Sequence, residues 1–232
     1  MRAEVLIGRD MSVAPPIAPK PSDPPLDCRR CPRLVALREE AEAAHPDWFN
    51  APVPTWEPED GPASVRMVVV GMAPGLKGAN RTGRPFTGDY AGNLLYRTLG
   101  RFGFARGTFE ARPDDGLEPV GCAITNAVRC VPPQNKPVGA EVNNCRPFLV
   151  DTLARYENAR VLVTLGKIAH DTLVRALGGR VAAAKFGHDV EHEVGRWTIV
   201  SSYHCSRYNT NTGVLTEEMF EAVFRRVRAL VE

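Results

Sequence analysis

Several absences narrow what this 232-residue chain can be. No apolar run approaches the roughly 20 residues that a bilayer-spanning helix needs, so a membrane-embedded role is not expected. The N-terminus lacks the succession of basic, apolar and small residues that marks a signal peptide, so a cytosolic protein is expected. There is no excess of one charge: 29 Lys and Arg stand against 27 Asp and Glu, a net +2. No global field therefore draws the chain to nucleic acid, and a basic face would have to be local. Arg81 and Arg84, and Arg225, Arg226 and Arg228 near the C-terminus, are the candidates for one. Internal repeats are missing. So are a Gly-Lys-Ser/Thr Walker loop and a dinucleotide fingerprint, which removes the common phosphate-cradling motifs despite 20 glycines.

What is present is proline, glycine and cysteine. Pro15, Pro16, Pro19, Pro21, Pro24 and Pro25 crowd residues 1–26, which reads as a flexible, extended leader. Residues 27–232 read as one domain, long enough to bury a full core. Pro32 and the apolar Leu34, Val35 and Leu37 predict a helix from Cys31 to Ala44. Strands are expected at Met67–Val70, Cys122–Val128, Arg160–Leu165 and Val194–Ser201. Helices are expected at Tyr90–Phe102, Glu141–Tyr156, Lys167–Leu177 and Leu215–Val231. This alternation predicts an α/β fold, a three-layer α/β/α sandwich around a central, mainly parallel sheet. In such sheets ligands collect beyond the carboxyl ends of the strands. Gly71-Met72-Ala73, Asn126 and His204 all fall at or just after predicted strand ends, so one crevice can unite them.

Two segments carry the chemistry. From Gly71 to Asp89, five glycines let the backbone approach a ligand closely, and Phe86, Arg84 and Asp89 stand among the later ones. Alone, such a stretch is as consistent with an ordinary loop as with a pocket. The second segment runs from His204 to Gly213 between the last strand and the last helix. Its Asn and Thr residues suit turns and caps. A neutral His204 could instead donate to a developing oxyanion, and Ser206 could hold a phosphate.

Reducing cytosol disfavours disulfides, so the six cysteines need another reading. Cys28 and Cys31 form a Cys-x2-Cys clamp, and Cys130 and Cys145 form a wider pair. Four thiolates suggest a metal site. Zinc is one reading, and an iron–sulfur cubane, which tolerates wider ligand spacing, is the other. Cys122 reads as a small core residue, and Cys205 flanks His204.

Taken together, Gly71-Met-Ala-Pro-Gly75, Gly83-Arg-Pro-Phe86, Thr125-Asn126 followed by Cys130, Asn144-Cys145-Arg-Pro-Phe148, and His204 with its Ser-Arg-x-Asn continuation resemble the uracil-DNA glycosylase superfamily. The likeness is to its iron–sulfur branch and covers residues 28 to about 230. The run from Asn80 to Asp89, the closing Asn211-Thr212-Gly213 and an apolar Met72 are similar to the family-5, or B-type, members. One departure is visible: Cys205 stands where the family usually has Pro.

The resemblance implies a DNA repair hydrolase that flips out uracil and other deaminated or modified bases and leaves an abasic site. Asp89 and His204 would be catalytic. Gly71, Met72, Ala73, Phe86 and Asn126 would hold the base, with Phe86 stacking on it and Asn126 bonding its Watson–Crick edge. Arg84, Ser206 and Arg207 would touch DNA. Cys28, Cys31, Cys130 and Cys145 would bind a [4Fe-4S] cluster. The partner would be damaged DNA, met by a monomer in the nucleoid-containing cytoplasm. A DNA-binding iron–sulfur module without glycosylase activity is the rival reading.

Overall fold

Residues 17–232 are described in a computed structural model. After helix α1 (Pro32–Ala44), strand β1 (Met67–Gly71) runs through the centre of the molecule, buried along its whole length. Short helix α2 (Ala79–Thr82), helix α3 (Tyr90–Arg101) and a small hairpin of β2 (Ala105–Arg106) and β3 (Glu118–Pro119) follow. Then come β4 (Cys122–Asn126), α4 (Gly139–Ala154), β5 (Val161–Leu165), α5 (Lys167–Ala176), β6 (Val190–Val194), β7 (Trp197–Ser202), short α6 (Arg207–Asn211) and α7 (Glu217–Val231). The five-stranded sheet has the order β4-β1-β5-β7-β6, and only the β6–β7 pairing is antiparallel.

The sandwich follows from strand periodicity, since successive side chains face opposite ways. Met67, Val69, Ile124, Val163 and Val200 face Leu95 and Leu99 of α3 and Phe220, Val223 and Phe224 of α7. Val68, Val70, Ala123, Leu162 and Ile199 face Leu149 and Leu153 of α4 and Leu173 of α5. Both faces are covered, which is why β1, β4 and β5 are near-continuous apolar runs. At one edge, Trp56 exchanges backbone hydrogen bonds of 2.9 and 2.7 Å with Ile124 of β4. At the other, β6 carries Glu191 and Glu193, charges that discourage further strand pairing.

The structure adds three details. Of the leader, residues 1–16 lie outside the described residues, while 17–26 pack onto the domain, with Ile17, Ser22 and Asp23 buried. Asp23 is buried, ion-paired with Arg129 at 2.6 Å, and its carboxylate accepts the Thr55 hydroxyl at 2.8 Å. The expected strand Val194–Ser201 is a hairpin: Val194 ends β6, Gly195 turns at φ +62°, and β7 starts at Trp197. β6 escaped notice because an exposed Val-Glu-His-Glu-Val edge carries little apolar signal. A short helix capped by Ser206 also intervenes before α7.

The strand order fixes where a crevice must form. From β1 the chain passes to β4 on one side, and from β5 it passes to β7 on the other. The loops leaving β1 and β5 therefore diverge, and a crevice opens between their carboxyl ends.

Candidate active site

A cleft of about 730 Å³ lies at that divergence. Met72, Gly75 and Gly78 line it from the loop after β1. Asp89 and Tyr90 line it from the start of α3, Leu165 and Gly166 from the end of β5, and His204, Ser206 and Arg207 from the segment after β7.

Asp89 is held by two local features. It caps α3, accepting the Gly92 N–H at 3.3 Å. The missing side chain of Gly78 leaves room for its carboxylate: a Cβ there would lie 2.6 Å from Asp89 Oδ2. Burial pushes its carboxyl above the usual aspartate range, and backbone donors Gly92 and Ala91 only partly offset this. No cation pairs with it among the described residues. His204 is shifted the other way: burial holds its imidazole below the usual histidine range, so the ring is neutral at pH 7. Its backbone oxygen accepts Asn209 Nδ2 at 2.8 Å. Neither ring nitrogen has a hydrogen-bond partner among the described residues, leaving both free for a ligand. Gly166, at φ +94°, brings β5 beneath it, where a Cβ would lie 3.4 Å from His204 Cβ.

Gly71, Phe86 and Asn126 do not line the open cleft but adjoin it as a closed trio. Gly71 and Asn126 are register partners on β1 and β4. A Cβ on Gly71 would sit 2.4 Å from both Phe86 Cζ and Asn126 Oδ1, so only glycine fits between them. Phe86 adopts φ +52°, uncommon for a bulky residue. Its ring centroid is 6.3 Å from that of His204. The Asn126 amide has no partner among the described residues. Ala73 points the same loop toward the cysteines, packing with Val128, Cys130 and Cys145.

Arg84 is a correction. It is buried and forms a two-point ion pair with Asp115 (Nη1–Oδ1 and Nη2–Oδ2, each 2.8 Å), donates Nε to Thr87 Oγ1 at 2.8 Å and lies 4.7 Å over the Trp56 ring. A guanidinium so enclosed holds the Phe86 turn and has nothing left for a phosphate. Burial alone would raise Asp115, but the Arg84 bonds and two backbone N–H groups outweigh it and bring the carboxyl down to about 2. The expected basic face also shrinks, because Arg226 pairs with Asp189 and Arg228 with Glu232. The cleft's positive groups are Lys77, Lys167 and Arg207, the last lying 5.2 Å over Tyr90.

A family model described as the uracil DNA glycosylase superfamily matches residues 58–228. The chain belongs to the uracil-DNA glycosylase superfamily. It is 41% identical over 210 residues to a type-5 uracil-DNA glycosylase of Thermus thermophilus, covering 88% of this chain and 93% of the relative. Another type-5 uracil-DNA glycosylase, from Pyrobaculum aerophilum, is 38% identical over 88% of this chain and 89% of its own. A type-4 uracil-DNA glycosylase of the same organism matches less: 34% identity over 56% of this chain and 58% of the relative.

Against that superfamily pattern, Cys205 now has a place. It is fully buried, and its thiol donates to the Ala91 carbonyl at 3.5 Å, tying the His204 turn to the first turn of α3. Ser206 caps α6 and also lines the cleft.

The four other candidate cysteines line one small apolar cavity. Cys28 and Cys31 come from the segment leading into α1, Cys130 from the loop after β4 and Cys145 from α4, with Leu34, Val128 and Phe148 between them. Among the described residues, no three His, Cys, Asp or Glu side chains gather tightly enough to hold a single metal ion. The donor set nevertheless suits a larger, multi-metal group: four unpaired thiols in apolar surroundings. Cys145 Sγ accepts the Arg129 N–H at 3.3 Å and Cys31 Sγ accepts Asn144 Nδ2 at 3.7 Å, the kind of bond that tunes cluster sulfurs. Burial pushes the Cys130 thiol up to about 12, so it would need a cationic group to ionise.

Tyr90, Lys77, Lys167 and Gly166 line the cleft and were missed in the sequence. Gly166 directly after the apolar Val161–Leu165 run was a usable signal; the others gave none, because cleft membership depends on how separate loops converge.

Proposed function

We propose that this protein hydrolyses the N-glycosidic bond of uracil in DNA and leaves an abasic site. One observation carries the reading: a carboxylate raised by burial and a neutral imidazole, both free of partners toward the ligand side, share a cleft at the strand-end crevice of a superfamily member. Pairs of groups pushed apart in this way are the usual arrangement for divided acid–base roles.

The base must leave the duplex stack before the cleft can receive it. Tyr208, one residue beyond Arg207 and 74% exposed, is suited to filling the gap in the stack. Phe86 would give the base a new stacking surface worth about 1–3 kcal/mol, and Asn126 would bond its edge. As the C1′–N bond breaks, its electron pair moves to the base and C1′ becomes cationic. His204 donates an N–H to the base oxygen that gains charge. Asp89 stabilises the sugar cation and takes the proton of the water that adds to C1′.

Cys28, Cys31, Cys130 and Cys145 would hold a [4Fe-4S] cluster, which when bound would cross-link α1, the loop after β4 and α4. Met72 offers the base an apolar wall, and such a wall rejects analogues weakly. We therefore expect uracil, hydroxymethyluracil, hypoxanthine and ethenocytosine all to be excised.

The test is alkaline cleavage of lesion duplexes after incubation with the protein. Scission at uracil and at two or more of the other bases is expected. Uracil-only scission would remove the Met72 argument, and none at all would remove the activity. Freshly purified protein should contain iron and acid-labile sulfide; stoichiometric zinc would overturn the cluster assignment.

A further inference from the structure

The cleft does not end at its rim. Ile168, on the first turn of α5, lines both the cleft and a second groove of about 450 Å³ between α4 and α5. Along α5 the groove is walled by Ile168, Asp171 and Arg175, and along α4 by Gly139, Val142 and Arg146. These are residues about one and two turns apart, so each helix presents a continuous row to the groove. From Ile168 to Arg175 the wall runs about 10 Å, at ~1.5 Å per residue.

Its charges are unspent. Arg146 and Arg175 have no carboxylate partner among the described residues: Arg146 bonds the Asn143 side chain and Arg175 the Asp171 carbonyl at 3.4 Å. Arg146 Nε is buried without any partner, a donor lacking its acceptor. The one acid in the groove, Asp171, is held at 2.5 Å by Lys167, although its Oδ1 has no partner. On the opposite helical face the pattern reverses: Arg97, Arg101 and Arg228 are each paired with a glutamate and Arg226 with Asp189.

We propose that the α4–α5 groove is the track for the DNA backbone flanking the flipped nucleotide, with Arg146 and Arg175 binding successive phosphates. This rests on the glycosylase reading, since the groove is an extension of that cleft. About 10 Å of wall matches roughly three base-pair rises along the duplex axis, at about 3.4 Å each. Base chemistry then belongs to the cleft and strand placement to the groove, as phosphate contacts position without reading sequence.

The experiment measures anisotropy of a fluorescent duplex with a central tetrahydrofuran abasic analogue, titrated with full-length protein over a series of salt concentrations. For Arg146→Gln/Arg175→Gln, the slope of log Kd against log salt should fall by about 2, since each duplex phosphate contact contributes ~0.9. Arg146→Lys/Arg175→Lys should keep the slope. A charge-matched control on the other face, Arg97→Gln/Arg228→Gln, removes arginines already paired with glutamates and should keep it too. Equal slopes for wild type and the Gln pair, with matching melting temperatures, would overturn the track; so would an equal loss in the control. Wild type that binds with the expected slopes but excises no base would leave the groove standing and sink the glycosylase reading instead.

Discussion

Arg84 and Asp89 lie five residues apart in one glycine-rich segment, and burial acts on both, yet the two regions they anchor are opposites. Arg84 meets Asp115 in a two-point ion pair, with Thr87 and Trp56 completing its surroundings. Asp89 has only backbone donors, and His204 across the cleft has no side-chain partner among the described residues. Arg129 and Asp23 repeat the first pattern deep beside Thr55 and Thr152. A charge whose partner is inside the protein is spent on structure. One left without a partner at a cleft wall is held in an unfavourable state that a ligand can relieve.

The comparison breaks if neutralising Asp89 is harmless. Asp89→Asn should lower the single-turnover excision rate on the order of 10²–10⁴-fold while still binding lesion DNA. It should also raise the melting temperature at pH 7. The folded-state pKa of Asp89 is raised, so ionisation there costs stability at every pH above its unfolded value, and Asn removes that cost while capping α3 equally well. A variant both less stable and fully active would reverse the argument.

Arg84→Gln tests the other half. Leaving Asp115 buried without its cation should cost about 3–5 kcal/mol in urea unfolding. The folded-state pKa of Asp115 is depressed, so in wild type its stabilisation is complete above the ordinary aspartate value and is lost as pH falls toward about 2. Arg84→Gln should flatten that acid limb. If Arg84 instead contacted DNA, the variant would keep its stability and lose salt-dependent binding.

His204→Gln should slow excision about 10²–10³-fold, the loss typical of one oxyanion donor. Wild-type activity should fall on the acid side, as Asp89 gains a proton and His204 becomes charged. The limb arises above the ordinary 3.8 for Asp89 and below the ordinary 6.5 for His204. The smallest effect is expected from Phe86→Leu, which keeps apolar bulk but loses the ring. It should weaken lesion binding by up to the 1–3 kcal/mol of base stacking and leave the pH limb unmoved.

How much of this was legible beforehand depends on the range of the interaction involved. Apolar runs at Met67–Val70 and Val161–Leu165 announced buried parallel strands, because strands covered on both faces carry no polar alternation. Asp89 and His204 were found through motif likeness, and they do face one cleft. The structural role of Arg84 is not legible in the sequence, because its partner Asp115 lies 31 residues away and no local pattern reports such a pairing. The packing of residues 17–26 is hidden from the sequence for the same reason: Asp23 is anchored by Thr55 and Arg129, far along the chain.

The sequence by itself determined the layers, the strand ends and the residue types gathered there, since these rest on periodicity and on the missing side chain at positions such as Gly71. Only the tertiary structure decided which charges are answered and which are left open, and that the α4–α5 groove continues the cleft. Desolvation and ion pairing depend on what lies within a few ångströms in space, and the chain's own order does not record that distance.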